Sequence, residues 1–244
     1  MKKTLLLLVS CALFSSNLTF AQWSGKNKIQ GNGTVVSEKR VTMDYDAIAV
    51  SGFFDVELVS GKEGDITVKG EENLLPFLKI EVINKVLKIS SEKNKYLSTS
   101  KGKKILISVP FEEINKVSLT GSGDVLTKKT IKSNSFSVQL TGSGDVILEV
   151  ESNSVEIDLT GSGDINITGT TEELTTNLNG SGDIDTSKLK AKNVHAAVAG
   201  SGDTTVYCID NLHARVSGSG DIQYKGDPKK KDTKVSGSGS ISKS

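Results

Sequence analysis

The tetrapeptide Gly-Ser-Gly-Asp recurs through the C-terminal half of the chain and constrains its fold more than any other feature. Six copies begin at Gly121, Gly142, Gly161, Gly180, Gly200 and Gly218, and a variant, Gly-Ser-Gly-Ser, begins at Gly237. Successive copies are 21, 19, 19, 20, 18 and 19 residues apart. This period is too short for helical-hairpin repeats and too long for heptads, whereas it is typical of one turn of a β-solenoid.

Aliphatic and polar residues alternate on both sides of each glycine corner. The position two residues before the corner is always aliphatic: Leu119, Leu140, Leu159, Leu178, Val198, Val216 and Val235. The position four before is mostly apolar, and the residue between them is polar or small. Such alternation predicts a strand with one buried and one exposed face. A single turn cannot bury its apolar face alone, so we expect successive turns to stack at about 4.8 Å and share one core.

The glycines themselves fit corners that require a positive φ, where a Cβ is unfavourable. Residues 111–244 are therefore predicted to form an all-β parallel solenoid with rungs of about 19 residues. Residues 22–110 lack clean copies, but 48–56 resembles a degenerate copy of the repeat. Strand-like runs follow at 65–69, 78–82, 86–90 and 105–109, with Pro110 as the expected boundary before the regular repeats. We expect this irregular N-terminal β region to complete or cap the solenoid, because open sheet edges need cover. Residues 22–244 are alternatively one continuous domain.

The first residues have the pattern of an export signal. Lys2 and Lys3 precede an apolar run at 4–14, and Thr19-Phe20-Ala21 offers small residues for cleavage after Ala21. Residues 1–21 are thus predicted to be a signal peptide, and lipidation at Cys11 is the alternative. The protein is expected to be exported, whether periplasmic, outer-membrane-associated or extracellular. The mature chain is expected to have no integral membrane segment, because no later apolar run is long enough to span.

Composition disfavours several classes of function. Lys and Arg number 30 against 29 Asp and Glu, so the chain lacks the basic excess of a nucleic-acid binder. Aromatic residues are only 5%, which weakens any interpretation based on base stacking. The sequence contains no P-loop, and no nucleophile elbow leads to a His and Asp set. After cleavage Cys208 is the remaining cysteine, expected as a small core residue without a disulfide partner. We predict no enzyme, no catalytic residue, no cofactor-binding residue and no nucleic-acid partner.

The aspartates that end the corners pose a physical problem. Stacking would place one carboxylate on each rung: Asp124, Asp145, Asp164, Asp183, Asp203 and Asp221. Unit charges about 4.8 Å apart repel by about 0.9 kcal/mol in water. Hydrogen bonds from backbone N–H groups of the turn stabilise such a carboxylate by about 1.5–3 kcal/mol, so we interpret these residues as a structural turn ladder. A row of bound Ca²⁺ and a ligand with repeated cationic groups are the alternatives; a calcium cage needs further oxygen ligands.

Two histidines form a second candidate group. His195 and His213 each lie five residues before their corner, so they are expected to stack on adjacent rungs, on the outward face. Asp232 follows one rung later in the same column. A metal bridging these side chains is the functional alternative, but two imidazoles without a third close ligand are usually a surface pair. We therefore predict no metal site.

The segment AIAVSGFFDVELVSGKEGDITVKGEENLLPFLKIEV at 47–82, followed by repeated SGSGDV or SGSGDI turns, resembles the GIN-domain family. This family is also described as auto-transporter adhesin head domains, and the resemblance covers roughly residues 40–240. It implies a right-handed parallel β-helix in an extracytoplasmic setting and no catalytic residues. The expected function is a non-catalytic, adhesin-like binding or structural surface protein whose partner is a glycan or a protein at the cell envelope. A polysaccharide-acting β-helix enzyme and a calcium-stabilised scaffold are the alternatives.

Overall fold

The structure, a computed structural model, describes residues 28–244. The expected signal peptide at 1–21 and the alternative lipidation site Cys11 lie outside this part of the chain. The described residues form one short 3-10 helix at Leu75–Phe77 and the following strands: β1 (Lys28–Gln30), β2 (Val35–Val41), β3 (Ala47–Gly52), β4 (Asp55–Ser60), β5 (Asp65–Glu71), β6 (Leu78–Ile83), β7 (Val86–Ser91), β8 (Tyr96–Ser98), β9 (Leu106–Phe111), β10 (Lys116–Gly121), β11 (Val125–Thr127), β12 (Ile131–Gly142), β13 (Val146–Gly161), β14 (Ile165–Gly180), β15 (Ile184–Gly200), β16 (Thr204–Gly218), β17 (Ile222–Lys225), β18 (Lys230–Gly237) and β19 (Ile241–Lys243).

Strands β10 to β19 stack as a parallel β-solenoid. Equivalent residues of successive rungs pair directly, as in Leu119 with Leu140 and Leu140 with Leu159. The aliphatic positions before and after the corners point inward, and nearly all are buried in one continuous core. The predicted all-β solenoid with rungs of about 19 residues is confirmed.

The glycine corners are required by the closeness of neighbouring rungs. Gly142 has a φ of +136°, and a Cβ there would lie 2.1 Å from the carbonyl oxygen of Gly121. Two residues on, a Cβ at Gly144 would lie 1.9 Å from the oxygen of Gly123. Real Cβ atoms essentially never approach another atom so closely. The corner therefore has room for backbone only, which is why glycine recurs at both positions.

The order of rungs in the stack differs from their order in the sequence. Strands β3 and β4 form a rung whose Gly52 pairs with Gly121, so this rung lies directly beneath β10 and β11. The opposite edges of β3 and β4 pair with β7 and β9, which come later in the chain. The stack thus runs from β7 and β9 through β3 and β4 to β10 and β11. In the middle rung Phe54 occupies the place of the second corner glycine and is fully buried.

Antiparallel strands cover the outer edge of the β7 and β9 rung. Strand β6 pairs with β7, β5 pairs with β9, and β2 pairs with β5. The strand predictions in residues 65–109 are confirmed to within two residues at each end, and the degenerate copy at 48–56 forms β3, a corner and the start of β4. Pro110 lies in β9, the last strand before the regular rungs begin at β10; β5 contacts β9 only over Leu106–Ser108, so the missing N–H of Pro110 falls beyond that pairing. Strands β1, β2 and β8 were not anticipated.

A buried carboxylate fastens the loops of this N-terminal region. Glu71 accepts hydrogen bonds from the backbone N–H of Gly33 at 2.5 Å, the N–H of Ser100 at 2.8 Å and the hydroxyl of Ser100 at 2.6 Å. Burial raises the pKa of Glu71, but the Ser100 and Gly33 hydrogen bonds outweigh it and hold that pKa below its usual range. Glu71 is therefore charged at neutral pH and holds together Gly33 and Ser100, which lie 38 and 29 positions away from it in the sequence.

Candidate functional site

The corner aspartates form a single column on the solenoid surface. The Oδ1 atom of each accepts the backbone N–H of the aspartate on the next rung, and the distances from Asp124 upward are 3.3, 3.2, 3.0, 2.8 and 2.8 Å. Asp221, last in the column, accepts from the N–H of Ser240 at 2.6 Å and from its hydroxyl at 3.0 Å. The bonds run between rungs rather than within one turn, because stacking places the next amide beside each carboxylate. Every carboxylate in the column thus links its rung to the next.

The column extends one rung further than the repeat suggests. Val56 pairs with Val125, so Asp55 lies directly beneath Asp124. Lys104 supplies a cation here, with its Nζ 2.7 Å from Asp55 Oδ2 and 3.9 Å from Asp124 Oδ2. The match of SGFFDV to SGSGDV was the available signal for Asp55, whereas nothing in the sequence pointed to Lys104. Among residues 28–244 no group of three or more His, Cys, Asp or Glu side chains is placed to hold a metal ion.

The histidines lie in register, as their spacing predicts. The ring centroids of His195 and His213 are 5.3 Å apart, and His213 Nδ1 is 3.0 Å from Asp232 Oδ2. Arg215 donates to the same oxygen at 2.6 Å. The hydrogen bond and charge of Arg215 hold the pKa of Asp232 below its usual range, with a smaller contribution from His213. The group is therefore a charged surface cluster dominated by the arginine–aspartate pair.

A shallow depression of about 510 Å³, here called the alanine slot, opens beside this cluster. Its floor is formed by Ala197 and Ala199, the outward residues of the strand that ends at Gly200. The polar residues around it are Asp158, Asn177, Asn179, Arg215, Ser217, Lys234 and Ser236. Both outward positions are alanine in this rung alone among the seven that precede a Gly-Ser-Gly corner. Since rungs are about 4.8 Å apart, the side chains of the rungs on either side stand about 9.6 Å from each other.

The polar side chains of the slot are held in place by other residues. Arg215 Nη1 donates to the backbone oxygens of Ala214 at 3.0 Å and Asp232 at 2.9 Å, in addition to the bond from Nη2 to the Asp232 carboxylate. On the other side Asn177 Nδ2 donates to Asp158 Oδ1 at 3.0 Å. The slot thus combines a cationic side, a side of amide and carboxylate oxygens, and an apolar floor.

The slot also marks a change in the charge of the solenoid. Residues 133–187 contain ten Asp and Glu and no Lys or Arg. Residues 188–244 contain ten Lys and Arg against five Asp and Glu. Asp158 belongs to the first segment, whereas Arg215 and Lys234 belong to the second. The sequence prediction missed the slot, although the run His-Ala-Ala-Val-Ala-Gly, in which the polar alternation is lost, was visible at 195–200.

Cys208 lies in the core and shows no feature of a reactive thiol. Its side chain is buried, and burial raises the pKa of Cys208 to about 11. The thiolate required for nucleophilic chemistry is therefore scarce at neutral pH. No helix within residues 28–244 is long and apolar enough to cross a membrane.

Stacked rungs, backbone-only corners and a polar outward face define a parallel β-solenoid. The chain belongs to the family described as "Putative auto-transporter adhesin, head GIN domain", whose sequence profile matches residues 44–228. The resemblance noted from the sequence is thereby confirmed. No match was found among curated proteins.

Several crystal structures have the same fold. A "putative adhesin" from Bacteroides fragilis is 24% identical, with 88% of this chain and 100% of that chain covered and a TM-score of 0.80. A "putative lipid binding protein" from Parabacteroides distasonis is 28% identical over 89% and 99% of the two chains, with a TM-score of 0.74. A "putative adhesin" from Parabacteroides merdae is 22% identical over 89% and 99%, with a TM-score of 0.70. These likenesses establish the architecture.

Proposed function

We propose that this chain is a non-catalytic, adhesin-like binding protein that works outside the cytoplasm. The observation that carries the proposal is the outward strand face, whose side chains are fixed in columns by in-register pairing from β3 through β18. A rigid array of this kind binds an extended ligand with little loss of conformational entropy. The family description and the names of two similar structures support the same conclusion.

The chemistry of the face favours binding over catalysis. A polysaccharide-acting enzyme needs a carboxyl group that is protonated near neutral pH to serve as general acid. Asp232, the acidic member of the histidine column, is paired with Arg215 at 2.6 Å and has a lowered pKa, which keeps it ionised. This arrangement suits recognition of polar groups on a ligand.

A lipid-binding role, suggested by the name of the Parabacteroides distasonis structure, finds less support. Burying an acyl chain requires an enclosed apolar cavity. The interior of this solenoid is filled by its own side chains, including fully buried Phe54, Phe136 and Ile157. The described hollows instead open at the surface and have polar side chains around them.

We also propose that residues 22–110 complete and cap the solenoid, with β3, β4, β7 and β9 as further rungs, and that the aspartate column is structural. The antiparallel pairing of β6 with β7 and of β5 with β9 supports the first proposal. The inter-rung bonds, such as Asp164 Oδ1 with the N–H of Asp183 at 3.0 Å, support the second. A melting curve measured with a chelator and with added calcium tests the second: we expect no shift, and a rise of many degrees with calcium would favour the ion-bound alternative.

Adhesion is tested with beads that carry purified residues 22–244. We expect the beads to adhere to cells or to immobilised envelope polysaccharide, and beads with the heat-unfolded chain to adhere less. The same protein is incubated with the soluble polysaccharide, and release of reducing ends is measured. Absence of specific adhesion contradicts the binding role, whereas a steady release of reducing ends supports the enzyme alternative.

Export is tested separately in the producing cell. We expect the mature chain outside the cytoplasm, beginning at Gln22 after cleavage behind Ala21. Mass spectrometry of the mature N-terminus gives the cleavage site directly. A lipid-modified N-terminus at Cys11 would replace the signal-peptidase assignment, and a cytoplasmic, uncleaved chain would contradict export.

A further inference from the structure

We propose that the alanine slot binds a sugar residue that carries a single carboxylate within an otherwise neutral saccharide. This inference rests on the proposed binding function and names the chemical class of its ligand. It is argued from the two sides and the floor of the slot, and from the charge of the rungs around it.

The cationic side of the slot suits a carboxylate. A guanidinium has five N–H groups, and three hydrogen bonds to Ala214 and Asp232 hold that of Arg215 in place. The Nε hydrogen and one Nη2 hydrogen remain for a ligand. Lys234, one rung further and exposed, adds a second positive charge at the same side. A planar fork of fixed donors recognises a carboxylate better than a flexible ammonium alone.

The opposite side suits hydroxyl groups. The amide of Asn177 is oriented by its Nδ2 bond to Asp158 at 3.0 Å, which leaves its Oδ1 to accept a hydrogen bond from a ligand. Asn179 lies on the same rung and is exposed, and Ser217, also exposed, adds a hydroxyl across the slot beside Arg215. Saccharide hydroxyls both donate and accept, so they match this mixture of amide, hydroxyl and carboxylate groups.

The floor suits the apolar face of a sugar ring. Ala197 and Ala199 offer methyl groups without hydrogen-bonding atoms, and the opening of about 9.6 Å between flanking rungs admits a ring lying flat. The volume of about 510 Å³ lies within the range of about 300–1,000 Å³ that is usual for small-ligand sites. A ring with one carboxylate edge therefore spans from the Arg215 side to the Asn177 side.

The charge of the neighbouring rungs limits how many carboxylates the ligand has. Residues 133–187, on the Asn177 side, contain ten acidic residues and no Lys or Arg. A polyanion that crosses the slot along the solenoid axis meets this segment and is repelled. The favoured ligand is hence a saccharide with isolated uronic acid residues rather than a polyuronate.

The test measures binding of defined oligosaccharides to purified residues 22–244 by titration calorimetry and ligand-observed NMR. The probe is xylotriose with one glucuronic acid branch, and its carboxyl-reduced, neutral form is the matched ligand control. We expect binding at millimolar concentrations for the acid and at least tenfold weaker binding for the neutral form. Trigalacturonate is expected to bind no more tightly than the monoacid.

Ala197→Gln fills the slot with a side chain that the same column already carries at Gln139. We expect this variant to lose at least tenfold in affinity. Ser118→Gln, in the same column but outside the slot, is the matched control and is expected to bind as the unchanged protein does. Melting curves establish that both variants are folded.

Each outcome decides the proposal. The proposal is overturned if the acid and neutral forms bind equally, if Ala197→Gln binds as the unchanged protein does, or if a short acidic peptide binds equally well. It is also overturned if no binding is seen at 10 mM probe, a concentration roughly ten times a millimolar dissociation constant. Adhesion of beads that carry Ala197→Gln, at the level of the unchanged protein, leaves the adhesive function standing while this inference fails. Oligosaccharide binding that depends on Ala197 without bead adhesion leaves the slot standing while the adhesive function fails.

Discussion

Gly163, the second glycine of the corner that begins at Gly161, provides the sharpest test of the stacked architecture. In Gly163→Ala the new Cβ would lie 2.0 Å from the carbonyl oxygen of Gly144, whereas real Cβ contacts essentially never fall under 3.0 Å. The two rungs must therefore separate locally by about 1 Å. Three backbone hydrogen bonds hold the rungs together at this corner. The carbonyl oxygen of Gly142 accepts from the N–H of Ser162 at 2.9 Å and from the N–H of Gly163 at 3.1 Å. The N–H of Val146 donates to the carbonyl oxygen of Asp164 at 2.9 Å.

Lengthening these three bonds by about 1 Å takes them beyond hydrogen-bonding distance. At about 1 kcal/mol for each bond, the expected loss in the free energy of unfolding is about 3 kcal/mol. The assay is urea unfolding followed by far-UV circular dichroism. Gly102→Ala is the control: Gly102 has a φ of +73° but nothing within 4 Å of the new Cβ, so only the conformational penalty of about 1–2 kcal/mol applies. A loss for Gly163→Ala no larger than that of the control would refute the argument that rungs touch through backbone at the corners.

Three further predictions concern individual buried groups. Thr176 is fully buried and its hydroxyl has no hydrogen-bond partner, so Thr176→Val should stabilise the protein by about 1–2 kcal/mol. Thr186→Val is the control: it removes a 2.9 Å hydrogen bond to the carbonyl oxygen of Thr205 and should not stabilise the protein. Thermal melts compare the two variants. Cys208, with its pKa raised to about 11, should resist a thiol reagent at about pH 8 until the protein is unfolded. This pH is about 0.5 below the pKa of a free thiol. Rapid modification of the native protein would contradict the burial of Cys208. Glu71 has a lowered pKa, so its stabilising effect is present above the unfolded pKa and is lost as pH falls through the folded pKa; Glu71→Gln should lower the melting temperature at neutral pH, and the difference from the unchanged protein should shrink in acid, while a difference independent of pH would contradict the ionic role.

The repeated part of the fold was predictable because the same physical constraint recurs in every rung. Leu140 and Leu159 each need an inward position, and Gly142 and Gly161 each need a corner without a Cβ. Seven repetitions of these constraints leave one register in which all are satisfied together. A single copy carries little information, so the prediction came from agreement among copies.

The order of the first rungs was not predictable by the same argument. Strands β7 and β9 have no glycine corner between them, because the chain leaves the stack after Ser91 and returns at Leu106. Their place beneath β3 and β4 is set by long-range packing, including that of buried Phe54, which local alternation does not encode. Local patterns identify these segments as strands but do not specify which strands become neighbours.

The candidate site was only partly accessible from the sequence. The column of His195, His213 and Asp232 followed from spacing alone. The alanine slot could not be predicted in this way. An outward alanine indicates only low strand propensity, and a slot is recognised only when the side chains on the neighbouring rungs are known. The partner of each corner aspartate likewise depends on the rung above it, which a reading of one turn does not include.

The displaced order of the early rungs has a consequence for how the chain reaches its native state. The rung of β3 and β4 is held from both sides, by β7 and β9 beneath and by β10 and β11 above. These layers therefore assemble as one cooperative nucleus, whereas later rungs add to it one after another as the chain emerges. Deleting the most C-terminal layers should leave a shorter folded protein, but cutting the chain anywhere before residue 127 should leave no folded remnant. A chain built this way commits to folding only after about its first half is available.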